Sequence, residues 1–195
     1  MIKNFLEIIK FIQKVHGCTQ TQLEKLGLSK NNLKRLNRKI YMNKFPHIKY
    51  FDAEDAYYTS DRWSCSNNED LLANVDILIE FIKVFGEDLI LIDKDEKTED
   101  SLNFYRQVID ENEEKNVVKF SIIRCLPSNE TLIETLINNG KFQTVLLNLD
   151  IKYIDRYKEL NLNDNINYVY TTMIQDNKLI MAKSLDEVRN KVNNE

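Results

Sequence analysis

Residues 18–40 read CTQTQLEKLGLSKNNLKRLNRKI. This stretch predicts a short helix over Gln20 to Leu26, a stop at Gly27, and a second helix that starts after Ser29 and runs to about Met42. Gly27 can take left-handed backbone without steric cost, as a residue just past a helix end must. The Ser29 hydroxyl can accept from the free amides of the next helix's first turn. Two helices joined by a three- or four-residue turn containing glycine have helix-turn-helix spacing. At 100° per residue the second helix places Leu33, Leu36 and Ile40 on one side and Asn31, Lys34, Arg35 and Arg38 on the other. Lys30, Asn32, Asn37 and Lys39 flank the two edges. Cations for phosphates and amides for base edges are what a helix in a DNA major groove requires. An ordinary solvated helix face carries similar residues, so the local charge balance must decide between the two.

The net charge of −4 over 195 residues hides a sharp division. Residues 1–50 contain 11 Lys or Arg against two acids, Glu7 and Glu24, a net +9. The remainder holds 16 basic and 29 acidic residues, a net −13. A basic block on a short segment supplies the counterion release that dominates nucleic-acid affinity. The 43% hydrophobic content is enough for a packed core, and no apolar run approaches a membrane span. The charged helical pattern of MIKNFLEIIKFIQKVHG does not read as a signal peptide. Cys18, Cys65 and Cys125 are odd in number and widely spaced, which argues against a disulfide framework or a zinc site. The expected location is cytoplasmic.

Upstream of the helix pair, Ile2, Phe5, Ile8, Ile9, Ile12 and Val15 form the stripe of a helix over Ile2 to His16, stopped by Gly17. Leu6 and Phe11 lie off that stripe. Downstream, FPHIKYF (residues 45–51) and AYYT (56–59) read as two strands around the acidic turn DAED (52–55). Three helices and a hairpin make a winged helix. Its three tip carboxylates would repel phosphate, so Lys44 and Lys49 at the hairpin base are better contacts than the tip. Residues 59–68 read as a linker, with Trp63 expected to be buried between domains.

A long helix from about Glu69 to Phe85, with an apolar side from Leu71 to Phe85, leads into a second half that alternates strands and helices. Strands are expected at Asp88–Ile92, Leu102–Ile109, Val117–Leu126 and Phe142–Leu149, then a hairpin over Tyr168–Ile174 and Lys178–Ala182. Helices are expected from Pro127 to Asn139, in a short form after Asp150, and after a Ser184–Glu187 capping box. The fold class is therefore mixed α+β and α/β. Residues 1–62 read as a winged helix-turn-helix domain, and 67–195 as a small α/β domain with a mixed sheet.

Catalytic chemistry finds little support. All four glycines, Gly17, Gly27, Gly86 and Gly140, fall at expected helix ends, which leaves none for a phosphate-cradling loop. No Ser or Cys sits in a nucleophile-elbow context, and both histidines, His16 and His47, lie in the basic segment. The second-half order, a helix, three strands, a helix and a strand, is that of a restriction-endonuclease-like core. Such a core needs an acid on one strand and acid-x-Lys on the next. Asp95-Glu96-Lys97 has that spacing but falls in an expected loop, and the strand carrying Lys119 has no acid. A receiver-type site would need paired acids that the first strand lacks. No catalytic residue, cofactor or metal is expected, and a degenerate nuclease-like second half stays open as an alternative.

The segment FLEIIKFIQKVHGCTQTQLEKLGLSKNNLKRLNRKI (5–40), with the hairpin ending AYYTS (56–60), resembles the winged-helix part of the replication-relaxation proteins. These are accessory proteins of plasmids and conjugative elements in Gram-positive bacteria. The resemblance implies a winged helix followed by an α/β domain of restriction-endonuclease-like layout, often without catalytic residues. It also implies that Asn31, Lys34, Arg35 and Arg38 face a DNA groove. The acidic hairpin tip departs from that pattern.

The leading expectation is a double-stranded-DNA-binding protein of a bacterial mobile element, acting in plasmid transfer or replication or its control. Its contacts would be Lys30, Asn31, Lys34, Arg35, Arg38, Lys39, Lys44 and Lys49. Two alternatives stay open: a transcription regulator whose α/β domain senses a ligand or dimerises, and an interaction adaptor that uses a winged helix without DNA. A homodimer, with Leu6 and Phe11 at its interface, and a protein partner for the acidic second half also stay open.

Overall fold

The computed structural model describes residues 5–65, 68–86, 89–91, 101–109, 115–174 and 178–194. The first half opens with α1 (Phe5–Val15), β1 (Gly17–Thr19), α2 (Gln20–Lys25) and α3 (Lys30–Tyr41). It closes with the hairpin β2 (Ile48–Phe51) and β3 (Ala56–Thr59), and the three strands form an antiparallel sheet in the order β1-β3-β2. The caps of the helix pair follow the sequence. Ser29 accepts from the Asn32 amide at 3.3 Å, and Gly27 sits at φ 97°. Thr19 and Gln22 add a reciprocal capping box at the start of α2, with both bonds at 3.0 Å.

Strand β1 was not legible, because three residues are too few to show alternation. Gly17 consequently has a different role from the expected helix stop. The left-handed position is His16, at φ 63°. Gly17 instead pairs with Tyr58 in the sheet, where a Cβ would collide with the Tyr58 ring. The expected strand at 45–51 starts only at Ile48, after a turn through Pro46 in which Asn43 takes φ 54°. Phe11, off the apolar stripe, is buried, whereas Leu6 is exposed.

A 3₁₀ turn (Ser60–Arg62) leads to α4 (Asn68–Phe85). The second half continues as β4 (Leu89–Leu91), β5 (Ser101–Ile109), β6 (Lys115–Cys125), α5 (Glu130–Asn139), β7 (Thr144–Leu149), a 3₁₀ segment (Ile151–Arg156), β8 (Asn167–Met173), β9 (Leu179–Ala182) and α6 (Leu185–Asn193). Its six strands run in sequence order across one sheet. The pairs β6–β7 and β7–β8 are parallel and the others antiparallel. The fold is thus mixed α+β. Between the strands expected at Leu102–Ile109 and Val117–Leu126 the acidic turn DENEEKN (110–116) is expected. Residues 110–114 lie outside the described residues, as do Asp176-Asn177 of the last hairpin and Asp95-Glu96-Lys97, while Lys115 and Asn116 belong to β6.

Helix α4 packs on both sheets, which explains why its buried residues exceed one stripe. Val75, Leu78, Ile79 and Phe81 join a core with Leu102, Phe104, Ile122 and Leu146 of the large sheet and Ile8, Ile12 and Leu23 of the first half. Leu71 packs with Ala56 and Tyr58 of the small sheet. Each such side chain taken from water is worth about 1.5–3 kcal/mol. Two polar ties fix the helix to α2: Gln22 Nε2 donates to the Leu72 carbonyl at 2.8 Å, and Lys25 pairs with Asp76 at 2.9 Å. The other face of the large sheet is covered by α5 and α6 through Ile133, Ile137, Leu185 and Val188. Ser184 caps α6, while the Glu187 carboxylate reaches back to the Lys183 amide instead of the Ser184 amide.

One buried polar chain crosses from α4 to the sheet. Asn148 Nδ2 donates to Asn74 Oδ1 at 3.0 Å, and Asn148 Oδ1 accepts from Arg124 at 3.2 Å. Arg124 also pairs with Asp150 at 2.9 Å. Asn74 and Asn148 are almost fully buried, so neither amide can turn to water. Asn148→Ala should therefore lower stability by about 1–3 kcal/mol, the usual cost of a buried polar group left unpaired. A urea titration would read this as a lower midpoint at constant slope. An unchanged midpoint would show that the amide pair does not hold α4 to the sheet.

The cysteines offer a second check on the core. Burial pushes the Cys125 thiol up to about 12 and raises Cys18 further, while Cys65 is only half-buried. Thiolate is the reactive form. The native protein should react with one equivalent of a thiol reagent, at Cys65, and the denatured protein with three. Native labelling at Cys18 or Cys125 would contradict the packing.

Candidate nucleic-acid interface

Helix α3 is anchored from beneath. Leu33 and Leu36 are buried, and Ile40 is partly buried against the same core. Asn37, on the edge of the polar face, accepts from the Tyr57 hydroxyl at 2.5 Å. Burial holds that hydroxyl protonated, so it can only donate to the amide oxygen. This bond fixes the rotation of α3 against β3. The residues opposite are thereby turned outward: Lys30, Asn31, Lys34, Arg35, Arg38 and Lys39 are all exposed, as are Lys44 and Lys49.

The structure divides these eight residues into three groups. Arg35, Arg38, Lys39 and Lys44 surround a shallow concavity of about 440 Å³ at the carboxyl end of α3. Arg38 also faces Lys49 across a larger open groove of about 610 Å³ between α3 and the hairpin. Lys30, Asn31 and Lys34 line neither and stand at the amino end of the helix. Two of the lysines rest on aromatic rings. Lys39 Nζ lies 4.2 Å from the Phe5 ring centre, and Lys49 Nζ 5.2 Å from that of Phe51 and 5.9 Å from that of Trp63. Such cation–ring contacts place the ammonium without neutralising it.

The cations on the outer side of α3 are not neutralised by any described residue, unlike those held in ion pairs. Lys25, Lys83, Arg124, Arg189 and Lys191 each pair with a carboxylate. No carboxylate among the described residues pairs with Lys30, Lys34, Arg35, Arg38 or Lys44. Two of the three hairpin-tip acids, Glu54 and Asp55, are engaged within the protein, while Asp52 lines the groove. Tyr50 donates to Asp55 at 2.5 Å, with Gln20 Nε2 on the same oxygen, and Tyr58 donates to Glu54 at 2.6 Å. Asp55 is held at φ 50°, a conformation that short polar side chains tolerate better than most. The sequence showed the three acids but not the partners of these two, the tyrosines within the same hairpin and the distant Gln20.

Trp63 departs from its expected place, and Tyr41 was not singled out at all. Trp63 is 40% exposed at the groove, not buried between the halves, and its Nε1 donates to the Tyr58 carbonyl at 3.0 Å. Tyr41, the last residue of α3, is 93% exposed on the same groove. Neither follows from periodicity, since an aromatic residue in a loop or at a helix end is equally consistent with core packing.

The second half offers a smaller concavity of about 170 Å³ at the carboxyl ends of β6 and β7, lined by Arg124, Asn148, Asp150 and Asp76 among others. Ligands of open α/β sheets bind at such strand ends. Here Arg124, Asn148 and Asp150 are already joined to one another and Asp76 to Lys25, and the volume falls below the usual small-molecule range. Among the described residues no three His, Cys, Asp or Glu side chains are grouped to hold a metal. No helix among them is long and apolar enough to cross a membrane. No protein-family model, curated protein or solved structure matches the chain.

Tyr57→Phe should lower stability by about 1 kcal/mol, because Asn37 loses its donor. Chemical denaturation would measure the loss. A stability equal to that of the parent would mean that the bond does not fix α3 on its sheet.

Proposed function

We propose that residues 5–62 form a winged helix that binds double-stranded DNA through α3, and that the protein serves a bacterial mobile element in plasmid transfer or replication or its control. The observation that carries the DNA reading is the clustering of exposed cations on one helix. Lys30, Lys34, Arg35, Arg38 and Lys39 all stand on the outer side of α3, exposed and without a carboxylate partner among the described residues. Such a cluster supplies phosphate contacts and releases a duplex's counterions on contact. Asn31, beside Lys34 and Arg35 on that face, is suited to the base edges. The tyrosine hydroxyls that hold Glu54 and Asp55 are neutral and leave their charge in place, which supports a docking mode in which the tip stays off the phosphates and Lys44 and Lys49 serve at its base. The mobile-element role rests on the resemblance to replication-relaxation proteins alone.

Of the alternatives, a ligand-sensing second half has the weaker support, given the occupied polar chain at β6 and β7. Anisotropy of a labelled duplex of about 20 base pairs, titrated with the full chain at two salt concentrations, tests the main reading. Arg35→Ala with Arg38→Ala should weaken binding several-fold or more and flatten the salt slope by about 0.9 for each phosphate no longer neutralised. Unchanged affinity and slope would remove α3 as the DNA-binding element. No salt-sensitive binding by the parent protein would favour the adaptor reading.

A further inference from the structure

We propose that the groove between α3 and the hairpin takes an unpaired nucleotide, so that the protein prefers duplex DNA bordered by a single strand. This rests on the DNA-binding reading of α3 and adds a second subsite to it. The groove has a composition that backbone recognition of a duplex does not need. Two exposed aromatic residues line it, Tyr41 at 93% and Trp63 at 40% exposure. A tyrosine so open to water at the end of a recognition helix contributes nothing to the core. A ring of this kind offers a π-face on which any base can stack.

The Trp63 indole is held in place by its bond to the Tyr58 carbonyl, so its exposed part is a fixed surface. Arg38 and Lys49 line the same groove and supply charge for the phosphates of a strand that enters it. Asp52 is a carboxylate among the lining residues. It disfavours a phosphate at its own position and can accept from the exocyclic amino group of a base. Cations, stacking rings and an acceptor in one concavity of about 610 Å³ fit a base with its backbone, whereas a paired base would be withheld from the rings by its own stack.

The single tryptophan of the chain makes the test direct. The full chain would be titrated with three labelled probes: a blunt duplex of about 20 base pairs, the same duplex with a single-stranded extension of about five nucleotides, and a single strand of equal length. Anisotropy and Trp63 emission would be read together. The extended duplex should bind about tenfold more tightly than the blunt one, within the range expected for one or two stacked bases, and should quench Trp63. Tyr41→Ala should abolish the preference and leave blunt-duplex affinity unchanged; the side chain is too exposed to support the fold, and circular dichroism would check this. Equal affinity for the blunt and extended duplexes with unquenched Trp63 would overturn the proposal and leave the duplex-binding reading standing. Failure to bind any probe would overturn both. Tight binding to the single strand with none to the blunt duplex would keep the groove and reject the duplex face.

Discussion

Burial of α4 against two sheets is the constraint on which the remaining packing depends. The helix is too apolar around its circumference to lie on one surface. Val75 and Leu78 meet the large sheet, Leu71 meets Tyr58 on the small one, and the single core that results includes Ile12 from α1 and Leu146 from β7. The polar groups on this helix follow the same logic. Asn74 is satisfied by Asn148 in the sheet, and Asp76 by Lys25 on α2. Each is a directional bond that fixes the helix rotation, which apolar contact alone leaves loosely specified. Helix α3 is positioned one step further out, through Tyr57, whose ring belongs to the same core.

Legibility in the sequence followed the range of the interaction. Caps and turns are local, so Ser29, Gly27 and the start of α6 could be read from neighbouring residues. The strand order could be approached because long apolar runs such as Thr144–Leu149 have few places to go but the middle of a sheet. Strand β1 was missed because its evidence lies far along the chain, in the register that sets Gly17 opposite Tyr58. The breadth of the α4 core was underestimated for a related reason. A helix packed on two sides loses the clean stripe that makes one-sided amphipathicity visible.

The candidate site was legible in its charges and illegible in its partners. Counting Lys and Arg sufficed to mark residues 1–50, and the helical wheel sufficed to turn Arg35 and Arg38 outward. Strand periodicity does not say which side chains bond across a turn. The uptake of Glu54 and Asp55 by Tyr58 and Tyr50 was therefore not read, although these partners are only a few residues away, and nor was the place of Trp63 at the mouth of a groove. Those facts depend on side chains brought together by the hairpin and by the turn at Ser60–Arg62.

The grouping of free cations on α3 has a consequence for how the molecule meets any charged surface. Residues 1–50 carry a net +9 although the whole chain stands at −4. At physiological ionic strength the field of a charge decays over about 8 Å. A polyanion in contact with α3 therefore feels the arginines and lysines beside it, while charge more than that distance away is screened out. The overall acidity of the protein does not oppose its basic helix, because attraction at contact is set by the patch that faces the surface and not by the sum over the chain.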